Sequence, residues 1–267
     1  MFKETQKKGT RKKLRKIRLL KFFVKWVIVI SILSTLGTII FRQIKSFRNS
    51  FDISISGIVK SKLYNSEYED ELRAAARKNK ELKSYVKNYD KYKDKEFEID
   101  LSKEAKSEEV PLLMQWDKRW GYNIYAGEPF GLSGCGPTCL SMVCIKILGD
   151  EKYTPEYIGE FAESHGYALN ASGSYWSLIS DGGRELGLDV VEIPNVKQRV
   201  IDNLNVGNPI ICIMGPGDFT DNGHFVVMTK YVDGKIKIND PYRKKNSEKL
   251  WDYEEISSQI QNMWVCR

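Results

Sequence analysis

Apolar and polar positions divide the chain into stretches of different texture. Phe22 to Phe41 is twenty residues interrupted by charge only at Lys25. About twenty apolar residues span a bilayer as a helix, and a lysine near one end can snorkel to the headgroups. Ser31, Ser34, Thr35 and Thr38 dilute the run, so a cleaved signal peptide is the rival reading. No small-x-small cleavage site follows, because the segment runs straight into Phe41-Arg42-Gln43-Ile44-Lys45. The expectation is an uncleaved transmembrane anchor at 22–41. Residues 42–107 are charged, without proline, and Gly57 is their one glycine. Ser66 to Asn88 is rich in helix formers, with Leu72, Ala75, Ala76, Leu82 and Val86 as a thin apolar stripe. This predicts a helical stalk or linker, with a pro-segment or a docking helix as alternatives.

From Val110 the texture becomes that of one core, and residues 108–267 are expected to form a single domain. Leu140, Val143, Cys144, Ile147 and Leu148 recur at helical spacing, with Pro137 in a first turn and Gly149 at the stop. Thr154-Pro155 starts a second helix ending near Gly166, and Ser174 to Ile179 begins a third that ends before Gly187. Asp189–Ile193 reads as a strand, Val196–Asn205 as a helix and Pro209–Met214 as a buried strand. His224–Val232 and Lys235–Asn239 flank Asp233-Gly234, a strong hairpin signal. Helices first and antiparallel strands afterwards predict an α+β domain.

Charge sharpens the picture at one end. Residues 1–25 carry eleven Lys or Arg against Glu4, a net +10, so the other 242 residues sum to −3 within the total of +7. The basic balance belongs to one terminus and implies no nucleic-acid surface on the domain. By the positive-inside rule, the tail 1–21 is expected in the cytoplasm and residues 42–267 outside it. Five cysteines cannot all pair within one chain, and Cys135, Cys139 and Cys144 crowd one segment. This is no disulfide framework. Nor do the three have zinc-ligand spacing, so no metal or cofactor is expected.

Candidate chemistry lies in four motifs. Cys135, in Ser-Gly-Cys-Gly-Pro-Thr-Cys, starts a helix, where unsatisfied backbone N–H groups lower a thiol's pKa and favour the nucleophilic thiolate. Gly134 and Gly136 leave room for close backbone approach to a carbonyl. A buried structural cysteine is the bland alternative. Of two histidines, His165 sits at a helix end and suits a solvated role, whereas His224 opens a strand where a base can meet solvent and nucleophile. Asp240, in Ile-Asn-Asp-Pro, would orient His224. A strict two-residue loop pairs Val232 with Lys235 and puts Asp240 opposite Val227, on the wrong face. Contact then needs a bulge, a wider loop or a twisted strand end, and Asn239 is the rival orienting group. Gln115, in Met-Gln-Trp-Asp-Lys-Arg-Trp, would donate to a developing oxyanion, with Trp116 and Trp120 fixing its direction.

Gln115-Trp-Asp-Lys-Arg-Trp, Gly134-Cys135-Gly-Pro-Thr, Gly223-His224-Phe-Val-Val and Asn239-Asp240-Pro241 resemble the papain-fold cysteine peptidases related to bacteriocin-processing, double-glycine-leader peptidases. The resemblance covers about residues 110–267. It implies a papain-like α+β domain with Cys135 as nucleophile, His224 as base, Asp240 as orienting acid and Gln115 as oxyanion donor. Three departures stand out from transporter-linked members: no multi-span region follows, no phosphate loop is present, and the stretch from Gln115 to Cys135 is long. The expectation is a membrane-anchored thiol peptidase, facing outward, that acts on a peptide or protein substrate. The alternatives are a non-catalytic surface binding module and an amide or acyl transferase on the same fold.

Overall fold

Five consecutive apolar residues, Ile210–Met214, can be buried throughout only in a sheet covered on both faces, and the computed structural model puts them there. The structure describes residues 68–267; the expected basic tail, the membrane segment at 22–41 and the start of the expected stalk lie outside them. Among the described residues, no helix is long and apolar enough to cross a membrane. The main sheet has six strands in the order Val190–Glu192, Ile260–Cys266, Ile210–Met214, His224–Val232, Lys235–Asn239 and Leu250–Trp251. All neighbours are antiparallel. The C-terminal strand, to which the sequence pattern assigned no element, is inserted between two others.

Alternation along the strands builds two cores. Ile211 and Ile213 meet Phe225 and Val227 on the face covered by the Cys135–Leu148 helix, which brings Leu140 and Val143. Ile210, Cys212 and Met214 meet Val226 and Met228 on the other, where the Lys197–Asn205 helix adds Val200 and Leu204. Helices thus cover both faces of an α+β domain. Fully burying a side chain such as Leu140 is worth about 1.5–3 kcal/mol, and truncating one to alanine costs about 2–5 kcal/mol once the cavity is included.

The hairpin turn at Asp233-Gly234 has the expected chemistry: both residues have positive φ, 53° and 79°, as a two-residue type I′ turn requires. Pairing starts in strict register, Val232 with Lys235, Tyr231 with Ile236 and Lys230 with Lys237. A bulge then shifts it, so Met228 faces Ile238 and Val227 faces Asn239. Thr229 is the extra residue, and its Oγ1 donates to the Lys237 carbonyl at 3.3 Å.

The expected stalk needs correction over its described part. Residues 68–78 are helical and a chain of short helices follows to Tyr92, all lying on the domain. Leu72, Leu82, Tyr85 and Tyr89 are buried with Tyr122. Tyr85 stacks on Tyr122 with ring centres 4.7 Å apart, and its hydroxyl donates to the Gly121 carbonyl at 2.6 Å. Burial first, then neighbouring Tyr89 and Tyr122, push the Tyr85 pKa up. The apolar stripe looked thin because the tyrosines, amphipathic residues with buried rings, were left out of it. Among the described residues, the compact unit therefore includes the chain from Tyr68 onward.

Candidate active site

The Cys135–Leu148 helix begins directly after a short helical turn, Phe130–Ser133, and the close junction leaves no space for side chains at the flanking glycines. A Cβ on Gly134 would lie 2.3 Å from the Phe130 ring, and one on Gly136 would lie 2.5 Å from Ser174 Oγ. The glycines serve internal packing here, a different reason from the expected approach of a substrate. Cys135 is partly exposed at the floor of a cleft of about 560 Å³. Gln115, His224 and the indole of Trp176 also line this cleft.

His224 starts its strand opposite Met214 and is nearly buried. Its Nε2 lies 2.8 Å from Asp240 Oδ1. Since an ionised carboxylate only accepts, Nε2 carries the hydrogen, which leaves Nδ1 as the ring nitrogen available to Cys135 in the shared cleft. Asp240 is fully buried, and both its oxygens are engaged. Oδ1 also accepts the amides of Tyr242 at 2.8 Å and Arg243 at 3.1 Å, while Oδ2 accepts Asn246 Nδ2 at 2.7 Å. The Asp240 amide donates to Ser247 Oγ at 2.8 Å. Asn239 is occupied elsewhere, donating to the carbonyls of Val110 and Pro111 at 3.0 and 3.1 Å. Of the two candidates for the orienting role, it is Asp240 that contacts the His224 ring, while Asn239 bonds elsewhere.

Electrostatics follow from this chain of contacts. Burial pushes the Cys135 thiol up, but the hydrogen bond and charge of His224, with the amides of Phe225 and Gly136, outweigh it and hold the thiol below its usual value. Burial works to lower the His224 pKa; the charge and hydrogen bond of Asp240, then Cys135, raise it to about 10. Burial likewise pushes Asp240 up, and His224, the Tyr242 amide and Asn246 bring it below the ordinary carboxylate value. The arrangement favours a thiolate–imidazolium pair. By contrast, Cys139, Cys144, Cys212 and Cys266 are buried free thiols, and burial raises all four.

Gln115 is buried, and Nε2 donates to the Gly131 carbonyl at 3.0 Å. An amide nitrogen has two N–H groups, so one remains for the cleft; Oε1 is buried without a partner. Trp120 Nε1 donates to Met114 and Trp116 Nε1 to Tyr242, both at 3.0 Å, which fixes the backbone on either side of Gln115. His165 stands apart, exposed at its helix end and bonded to the Phe161 carbonyl. Among the described residues, no group of three His, Cys, Asp or Glu is arranged to hold a metal ion. Asn246 and Ser247 were missed by sequence reasoning. Polar residues just beyond Asn-Asp-Pro were the available signal, because a turn there folds the next residues back onto the aspartate.

Comparison with known proteins gives matches at two levels. The model of the Peptidase_C39 like family matches residues 107–266. Among solved structures, the peptidase domain of Streptococcus ComA, a bi-functional ABC transporter involved in a quorum sensing pathway, is 20% identical. That match covers 50% of this chain and 90% of that one, with a TM-score of 0.41. A C39-like peptidase from Bacillus anthracis is 17% identical over 60% of this chain and 96% of that one, with a TM-score of 0.33. No curated protein matches.

Proposed function

The chain belongs to the Peptidase_C39 like family, and from that membership we propose a cysteine peptidase in which Cys135 is the nucleophile, His224 the general base and acid, and Asp240 the orienting carboxylate. The observation that carries the reading is the buried His224 Nε2–Asp240 Oδ1 hydrogen bond beside Cys135, with the thiol and the imidazole lining one cleft. The thiolate attacks the carbonyl carbon of a peptide bond, forming a C–S bond and an oxyanion. Gln115 Nε2 and the Cys135 amide donate to that oxyanion. Collapse breaks the C–N bond, and the imidazolium gives its Nδ1 proton to the departing amine. Water then loses a proton to His224 and attacks the thioester, which releases a carboxylic acid and restores the thiolate–imidazolium pair.

The substrate in this reading is a peptide or protein segment laid along the cleft past Trp176. The basic tail and the 22–41 segment anchor the domain on the outer side of a membrane, supported by the charge asymmetry of the sequence. Two experiments test these parts separately. Iodoacetamide at neutral pH should alkylate Cys135 selectively and in a His224-dependent way; a Cys135 no faster than Cys266 would sink the enzymatic reading. Protease added to intact cells should remove the domain, and full protection would overturn the topology.

A further inference from the structure

We propose that Asn79 and Glu81, from the segment that precedes the family match, are positioning residues for the His224–Asp240 pair. The inference rests on the catalytic reading above. Asp240 is held by the loop that follows it, because its acceptors are filled by Tyr242, Arg243 and Asn246. That loop in turn is gripped from outside by the 79–81 turn. Asn79 is buried, and its Nδ2 donates to the Tyr242 carbonyl at 2.8 Å. The Glu81 carboxylate accepts the amides of Lys244 at 2.8 Å and Lys245 at 3.1 Å. Asn79 Oδ1 accepts the Glu81 amide at 3.1 Å, which ties the two gripping residues to each other.

Tyr242 is thereby held from both sides. The Tyr242 amide faces Asp240 while its carbonyl faces Asn79, so the carboxylate's position is set by a residue more than 160 positions earlier in the chain. Lys78 adds a third contact, to Asp221 at 2.7 Å, on the loop before His224. That pair is exposed and contributes little energy, but it places the same turn against both loops that flank the histidine–aspartate pair. Tyr68, Tyr85 and Tyr122 supply the anchorage: Tyr68 donates to Gly127, and Tyr85 and Tyr122 bond across the interface. A displacement of about 1 Å at a catalytic group can cost about a hundredfold in rate, so a loop held from outside has direct chemical consequences.

The test uses the full chain and the rate of Cys135 alkylation by iodoacetamide, read by mass spectrometry across pH. The double substitution Asn79→Ala/Glu81→Ala should slow alkylation at pH 7 about tenfold and move the pH midpoint upward. In an Asp240→Asn background the same pair should change the rate by less than about twofold, since its effect passes through Asp240. Equal fold losses in both backgrounds, or no loss in the wild-type background, overturn the inference. Should the double variant not fold, Glu81→Gln, which keeps an acceptor oxygen, is carried through the same cycle and judged by the same two criteria. A wild-type Cys135 without selective reactivity is a different result: it removes the catalytic reading and this inference with it.

Discussion

Replacing Asp240 by asparagine isolates the charge of the orienting group from its shape. In the wild type, Oδ1 collects three donors, His224 Nε2, the Tyr242 amide and the Arg243 amide, while Oδ2 takes Asn246 Nδ2. The asparagine will keep its oxygen toward the three donors and turn its own NH2 toward Asn246, setting donor against donor. Losing that charge-assisted bond costs about 1.5–3 kcal/mol, which for a domain of this size lowers Tm by about 3–12 °C. The chemical effect is larger. A carboxylate in contact raises its partner's pKa by about 1–3 units, and the imidazolium is what holds the Cys135 thiol down. The Asp240→Asn variant should therefore alkylate about 10 to 1000 times more slowly at pH 7. Because the folded Asp240 pKa lies below 3.8, its stabilising contribution is complete above that value and fades as acid protonates it. The Tm difference between wild type and variant should shrink accordingly below about pH 4. Alkylation within twofold of wild type at pH 7, with an unchanged pH profile, would refute the reasoning.

Three further outcomes follow from particular contacts. Gln115→Ala should lower turnover of a cleaved peptide by about 100–1000-fold while leaving Cys135 alkylation unchanged, since an oxyanion donor acts only after attack; kinetics and labelling on one preparation check both. Gly136→Ala forces its new Cβ to within 2.5 Å of Ser174 Oγ, so it should destabilise by about 1–3 kcal/mol. Thermal denaturation should show the lowered Tm, and a Tm equal to that of the wild type would contradict this account. Gly131→Ala drives a methyl to within 2.5 Å of the Tyr85 ring. It should loosen the 68–92 segment, visible as faster amide exchange there than in the Ile210–Met214 strand.

Much of this site was legible because its parts are local. Cys135 lies at a helix start that Pro137 and Gly149 announce, and His224 at a strand start that follows Asp-Asn-Gly. The hairpin turn could be read because Asp-Gly is one of few pairs that accept positive φ twice. What failed was non-local. Ser66 to Asn88 read as part of a stalk because their aliphatic stripe is sparse, yet Tyr85 and Tyr89 bury their rings against Tyr122. Periodicity counted over aliphatic residues alone cannot register that contact, nor can it show that Glu81 meets amides from far along the chain. The C-terminal strand was missed for a similar reason. Its partners, Val190–Glu192 and Ile210–Met214, lie well upstream, and no tight turn next to it marks the pairing.

The reach from Asp240 to His224 depends on one extra residue. With strict pairing from the turn, Asp240 would lie opposite Val227 and point away from His224. The bulge at Thr229 moves Asn239 into that position, so Asp240 comes next, in line with Val226 and on the side that alternation assigns to His224. Burial gives independent support for this phase change. Val226 and Met228 lie in one core, and beyond the bulge it is Tyr231, of opposite parity, that packs against the same core. Two adjacent polar residues, Thr229 and Lys230, interrupt an otherwise apolar strand where the phase slips, and Thr229 spends its hydroxyl on the Lys237 carbonyl. The bulge also explains Asn239, whose amide is turned to the opposite face and bonds the segment leading to Gln115 through Val110 and Pro111. One inserted residue thus sends two neighbouring polar side chains to separate tasks: Asp240 meets the imidazole, and Asn239 ties the sheet to the strand of chain that carries Gln115.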